Sequence, residues 1–127
     1  MNTAATTAQT TAAVAAPTFA TAAELLIGTR GTRRFEGREH GAGISYFFVD
    51  NKPGEGADLH WHPYTETWVV ISGTVRATIG GEEFILHDGD TATVPPRTWH
   101  GFVNAGPGGL QLIGIHASDT IIQTFAD

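Results

Sequence analysis

The segment Gly54-Glu55-Gly56-Ala57-Asp58-Leu59-His60-Trp61-His62-Pro63-Tyr64-Thr65-Glu66-Thr67-Trp68-Val69-Val70-Ile71-Ser72-Gly73 sets two histidines and a glutamate between two glycines. In a strand, residues i and i+2 project from the same face, with Cα atoms roughly 6.5–7 Å apart. His60 and His62 therefore share one face. Pro63-Tyr64-Thr65 interrupts the strand, and Glu66 opens a returning one whose run Trp68–Ile71 is apolar. An unpaired carboxylate beside that run would be costly to bury, and a bound cation offsets the cost.

A second run, Gly89-x5-Pro95-x4-His100-x3-Asn104, brings a third histidine from a distant strand. A lone His-x-His is more often surface or core decoration, and a lone glutamate at a strand start is usually solvated. All four residues at these spacings point instead to a metal site. Nitrogen ligands must approach within about 2.0–2.2 Å of an ion, so side chains from neighbouring strands have to converge. The inward faces of a barrel already meet.

Outward from these runs the chain reads as all-β. Short apolar or alternating stretches lie near 24–29, 33–36, 43–50, 57–62, 66–72, 74–80, 83–87, 91–94, 98–104 and 109–116. Gly, Pro, Asn and Asp punctuate them at the spacing of a barrel or sandwich. Val75-x-Ala77-x-Ile79, Gly80-Gly81 and Phe84-Ile85-Leu86 form a hairpin signal. Asp119–Phe125 reads as a short helix capped by Ser118 or Asp119. The organisation expected is an Ala/Thr-rich tail, disordered or extended, over 1–22 and one domain over 23–127.

At 127 residues and 41% hydrophobic content the chain can bury one core. A net charge of −6 with seven Lys and Arg argues against a nucleic-acid partner. With no cysteine, disulfides, zinc-thiolate sites and thiol nucleophiles are excluded, which fits a cytoplasmic location. No window reaches the roughly 18–20 apolar residues of a membrane span. The first lysine or arginine is Arg30, so a secretory or transit signal is not expected.

Both runs resemble the two motifs of the cupin superfamily of small β-barrels. Gly54, His60, His62, Glu66 and Gly73 match the first motif, and Gly89, Pro95, His100 and Asn104 the second. Where the second motif usually has glycine, this chain has Arg97. The resemblance covers about residues 40–116. It implies a single-domain jelly-roll barrel binding one divalent metal through His60, His62, Glu66 and His100. Three neutral nitrogens and one anionic oxygen suit Fe, Mn, Co, Ni or Zn. On an octahedral ion, two positions stay open for a substrate, or for a substrate and O₂.

Further residues are placed by alternation. Phe102 shares a face with His100 and is expected to wall the pocket. Trp68 shares parity with Glu66 and is expected to face the cavity, while Trp61 and Trp99 face away. On strand 43–50, Tyr46 and Phe48 share one face and Phe47 and Val49 the other; the first pair is taken as inward. His116 either lines the pocket, as a proton donor or as a partner to a metal ligand, or is a satisfied strand end. Arg97 either lies in solvent or edges the pocket mouth as an anion contact. His40 and His87 read as loop residues. Arg30, Arg33, Arg34 and Arg38, interleaved with Glu36 and Glu39, read either as a solvated edge or as a contact for an acidic substrate at the barrel mouth.

The function expected is a metal-dependent oxygenase acting on a small organic molecule. A redox-neutral isomerase or lyase, with Glu66, His116 or Tyr46 moving protons, is the second reading. A non-catalytic binder of a metabolite is the third. Exposed strand edges and an outward Trp61 favour a homodimer.

Overall fold

The computed structural model describes residues 14–127. Most of the expected tail, residues 1–13, lies outside them, and 14–20 carry no regular secondary structure. The first element is a short helix, α1 (Ala22–Leu25), followed by β1 (Leu26–Ile27). A continuous strand over 24–29 is therefore not formed. Thr21 caps the helix, accepting from Glu24 N, and Glu24 reaches back to the Thr21 backbone. Those reciprocal bonds satisfy two amide donors that a helix start leaves orphaned.

The remaining strands are β2 (Thr32–Phe35), β3 (Ser45–Asn51), β4 (Gly56–Trp61), β5 (Glu66–Ser72), β6 (Val75–Ile79), β7 (Glu82–Leu86), β8 (Thr91–Val94), β9 (His100–Asn104), β10 (Leu110–His116) and β11 (Thr124–Phe125). They form two antiparallel sheets, in the orders β1-β2-β3-β10-β5-β8 and β11-β4-β9-β6-β7. This is the expected all-β jelly roll. Val49, Trp68, Val70, Val94, Leu110 and Leu112 from the first sheet meet Val75 and Ala77 from the second in one core. No helix among the described residues is long and apolar enough to cross a membrane.

Turn chemistry sets the frame. Gly80 and Gly81 have φ of 60° and 84° and join Ile79 to its partner Glu82. Two successive positive φ values give the turn that matches the twist of a tight hairpin. Gly73 has φ 107°, and a Cβ there would run into the Gly109 carbonyl. Asn104 organises the far loop: its Nδ2 donates to the carbonyls of Asn51 and Gly108 at 3.0 and 2.9 Å, and its Oδ1 accepts from Gly106 N at 2.8 Å. These motif residues shape backbone and do not reach the site.

The C-terminal segment is extended, correcting the helix expected over Asp119–Phe125. Its polar backbone groups bond outward rather than along the chain. Ile121 N donates to Glu36 Oε2 (2.8 Å), Ile122 N to the Tyr64 hydroxyl (3.1 Å) and Ala126 N to Leu59 O (3.0 Å). Thr124 and Phe125 pair with Trp61 and His60 as an edge strand. With these partners available, β-branched Thr120, Ile121 and Ile122 have little reason to form a helix.

The basic cluster is a solvated edge only in part: the Arg30 and Arg38 side chains are 68% and 59% exposed, but the carboxylate among them is not. Glu36 is only 4% exposed and is met by Arg34 and Arg38, each at 3.3 Å. The backbone hydrogen bond from Ile121 holds its carboxyl below the usual range against the opposing effect of burial, with help from both arginines. Arg33 instead lies over the Phe48 ring, 4.5 Å from its centroid.

Candidate metal centre

Three strand ends converge at one end of the barrel. His60 sits near the end of β4, and His62 just beyond it; Glu66 opens β5 and His100 opens β9. His60 and His100 are direct cross-strand partners. One ligand atom from each of the four residues lies within 4.8 Å of those from the others, and all four residues are buried.

The ring orientations are set from behind. His60 Nδ1 lies 2.6 Å from Asp58 O, His62 Nδ1 2.7 Å from Ile122 O, and His100 Nδ1 2.7 Å from Thr98 O. A carbonyl oxygen can only accept, so each Nδ1 carries the hydrogen and donates it. A neutral ring then presents its Nε2 lone pair inward, as a metal ligand requires. Burial pushes His60 down to about 4, further than its bond to Asp58 raises it, so its ring is neutral at pH 7.

Glu66 completes the set. Its Oε1 lies 3.1 Å from His62 Nε2 and 3.0 Å from His100 Nε2. Burial alone would raise its carboxyl, but hydrogen bonds from His100, His116 and His62, which need a proton on the facing nitrogen, outweigh burial and hold it below the usual carboxylate range. Imidazole lone pairs turned toward a carboxylate oxygen repel one another. A proton or a metal cation among these atoms supplies the missing positive charge, and three imidazoles with one carboxylate are a fitting donor set for a divalent transition ion.

Glu66 Oε2 points elsewhere. It accepts from Trp68 Nε1 at 3.0 Å and lies 3.3 Å from His116 Nε2. His116 is thus buried beside the centre, paired across the sheet with Glu66 itself. Its other nitrogen, Nδ1, is 2.6 Å from the Tyr64 hydroxyl. Tyr64 was not singled out from the sequence. It lies 52 positions from His116, and the only hint was its place between His62 and Glu66.

A cavity of about 340 Å³ opens beside Glu66, His60 and His116. Phe47, Val49, Trp68, Phe102, Leu112 and Phe125 give it apolar walls, and Arg30, Asp58 and Gln123 add polar groups. Trp68 and Phe102 fall inside as alternation predicts, edge to face with centroids 5.4 Å apart.

Tyr46 and Phe48 are corrected: they lie on the opposite face of β3 from the cavity. Tyr46 stacks on Phe35 at 5.1 Å, and Phe48 sits under Arg33. The cause is register. β3 pairs with β10 so that Phe47 faces Gly114 and Val49 faces Leu112, on the same side as His116 opposite Ser45. Had His116 been taken as inward, Phe47 and Val49 would have followed.

Of the two readings for Arg97, the structure rules out the pocket mouth. Arg97 does not line this cavity but a separate outer cleft with Leu59, Trp99 and Ala126. Its backbone N donates to His62 O at 2.7 Å, and it takes φ 55° where the motif usually has glycine. The turn forms despite the substitution, and the side chain stays in solvent. His87, in its turn, is also exposed.

The family model described as a cupin domain matches residues 47–116, more than half of the chain. This protein is a cupin. Over 68 residues it is 38% identical to a mannose-1-phosphate guanylyltransferase of Salmonella typhimurium (strain LT2), covering 52% of this chain and 14% of that one. Over 56 residues it is 38% identical to a gentisate 1,2-dioxygenase of a Haloferax species, covering 42% and 16%. A solved structure of Bacillus subtilis oxalate decarboxylase, a protein with Mn(II) centres, superposes with a TM-score of 0.67 at 26% identity, over 74% of this chain and 27% of that one. This cupin therefore spans a small part of each relative's length, and the three differ in chemistry.

Proposed function

We propose that this cupin binds one divalent transition metal through His60, His62, Glu66 and His100 and acts as an oxygenase on a small organic molecule. The observation that carries the reading is the convergence of three back-bonded imidazoles and a buried carboxylate at the wall of an apolar cavity. Likeness to a gentisate dioxygenase supports the oxygenase part of it, and likeness to an oxalate decarboxylase with Mn(II) centres supports the metal. A metal in this ligand set would supply Lewis acidity and, if redox-active, electrons for reaction with O₂.

The chain's own residues do the rest. Phe47, Val49, Phe102, Leu112 and Phe125 exclude water and grip the apolar body of a substrate. Arg30 offers a positive charge to a polar or anionic end, although it also pairs with Glu55 at 3.6 Å. Asp58 puts a carboxylate on the same wall, and this favours a second reading as a redox-neutral isomerase or lyase in which Asp58 moves the proton.

Metal loading tests the proposal first. Elemental analysis after reconstitution is expected to find one divalent ion per chain, and Glu66→Ala or His62→Ala to lower affinity by more than ~100-fold, beyond the loss typical of an outer partner. Wild-type protein that holds no metal after reconstitution overturns it. Oxygen-electrode measurements then separate the two readings: turnover without O₂ uptake selects the redox-neutral one.

A further inference from the structure

The half of Glu66 that faces away from the histidine cluster is unusually well occupied. Oε2 accepts from the Trp68 indole at 3.0 Å and lies 3.3 Å from His116 Nε2. Gly114 closes the third side, since a Cβ at that position would collide with Oε2. Oε1 meanwhile lies within 3.1 Å of two inward Nε2 atoms.

Which nitrogen of His116 carries its hydrogen follows from Tyr64. The hydroxyl accepts from Ile122 N at 3.1 Å, so its own hydrogen is available. His116 Nδ1 at 2.6 Å is a far better acceptor for it than Ile122 O at 3.4 Å. With Nδ1 accepting, a neutral His116 carries its hydrogen on Nε2 and directs it at Glu66 Oε2. His116 is then a donor to the carboxylate and has no inward lone pair to offer an ion.

We infer that Tyr64 and His116 are positioning residues that, with Trp68, saturate Oε2 of Glu66 and restrict it to a single donor oxygen, Oε1. The inference rests on the metal reading above. Restricting the carboxylate to one oxygen keeps a coordination position free for substrate. Of the readings open for His116, this geometry selects the partner to a metal ligand, since its Nε2 lies 3.3 Å from Glu66 Oε2.

Infrared difference spectra, Zn(II)-loaded minus metal-free, on protein with ¹³C-labelled glutamate carboxylates test this, because single-oxygen binding separates the two carboxylate stretches more widely than two-oxygen binding. Wild type is expected to show the wide separation. His116→Phe is expected to narrow it and weaken Zn(II) binding by about 10–100-fold. His116→Gln, which keeps an N–H near the same place, should restore the wide separation. Tyr64→Phe, at a half-buried position that spares the core, should narrow it partly, with circular dichroism confirming the fold. A narrow separation in wild type, or an unchanged one in both His116→Phe and Tyr64→Phe, overturns the inference while leaving the metal reading intact. Absence of Zn(II) binding by wild type overturns the metal reading itself.

Discussion

Strands β5 and β10 lie side by side through both ends of the barrel, and the two ends are built on different physics. At one end Val70 and Leu112 are paired partners, with Leu110, Val75 and Ala77 around them, all at most 1% exposed. At the other end the same pair of strands contributes Glu66 and His116, again direct partners. The apolar end is held by area removed from water, which has no direction and tolerates swaps that keep volume. The polar end is held by bonds with fixed directions, where each buried group needs its own partner. Alternation along a strand is thus compatible with either regime. What separates them is the supply of partners.

Some of those partners come from the C-terminal segment that crosses the polar end. Ile122 alone receives His62 Nδ1 on its carbonyl and gives its N–H to Tyr64. Phe125 packs on the His60 ring with centroids 5.0 Å apart. Glu36, with Arg34 and Arg38 around it, takes the amide of Ile121 and anchors the segment.

Breaking the apolar end should give the largest effect on stability. Leu110→Ala removes a fully buried side chain outside the cavity and is expected to cost about 2–5 kcal/mol in chemical denaturation. Zn(II) affinity of the folded fraction should change less than twofold. A large loss of affinity would show that the two ends are not independent.

Loosening the polar end's anchor should cost less. Glu36→Gln keeps an acceptor for Ile121 N but loses the charge, and a loss of about 1–2 kcal/mol at pH 7 is expected. The pH dependence has a defined sign. Glu36 has a folded value below its ordinary 4.5, so its contribution is present above that pH and disappears as pH falls through the folded value. The gap between wild type and Glu36→Gln should therefore close in acid, as followed by thermal melting across a pH series. A gap that persists at low pH would mean that shape, and not charge, sets the anchor.

The smallest effect is expected at Arg97. Its φ of 55° carries a penalty of about 1–2 kcal/mol for a residue with a Cβ, which glycine avoids while adding freedom to the unfolded chain. Arg97→Gly should raise stability by no more than ~1 kcal/mol and leave Zn(II) affinity unchanged. Arg97→Val, with a branched Cβ in that conformation, should lower stability. Reversal of that order would show that the guanidinium contributes in the outer cleft.

The four candidate ligands were legible because their spacing is local or anchored by turn residues: i and i+2 at His60 and His62, a Pro63 break before Glu66, and a Gly–Pro turn before His100. The hairpin at Gly80-Gly81 was legible for the same reason. Thr21-x-x-Glu24 was an equally local signal, overlooked beside the β pattern around it. The inward face of β3 was not legible, because Tyr46-Phe47-Phe48-Val49 is apolar on both faces and its own alternation cannot choose. Nor was the Tyr64–His116 bond or the role of Ile122, which join positions 52 and 60 residues apart to the site.

A cupin-like β-barrel and its four converging side chains follow from local pattern, since period-two alternation and turn geometry act over a few residues. The tertiary structure alone decided which oxygen of Glu66 faces the histidines, which rings are fixed by carbonyls, and which face of β3 walls the cavity. Those outcomes depend on strand register and on the path of the C-terminal segment, and register is settled by pairing between distant strands.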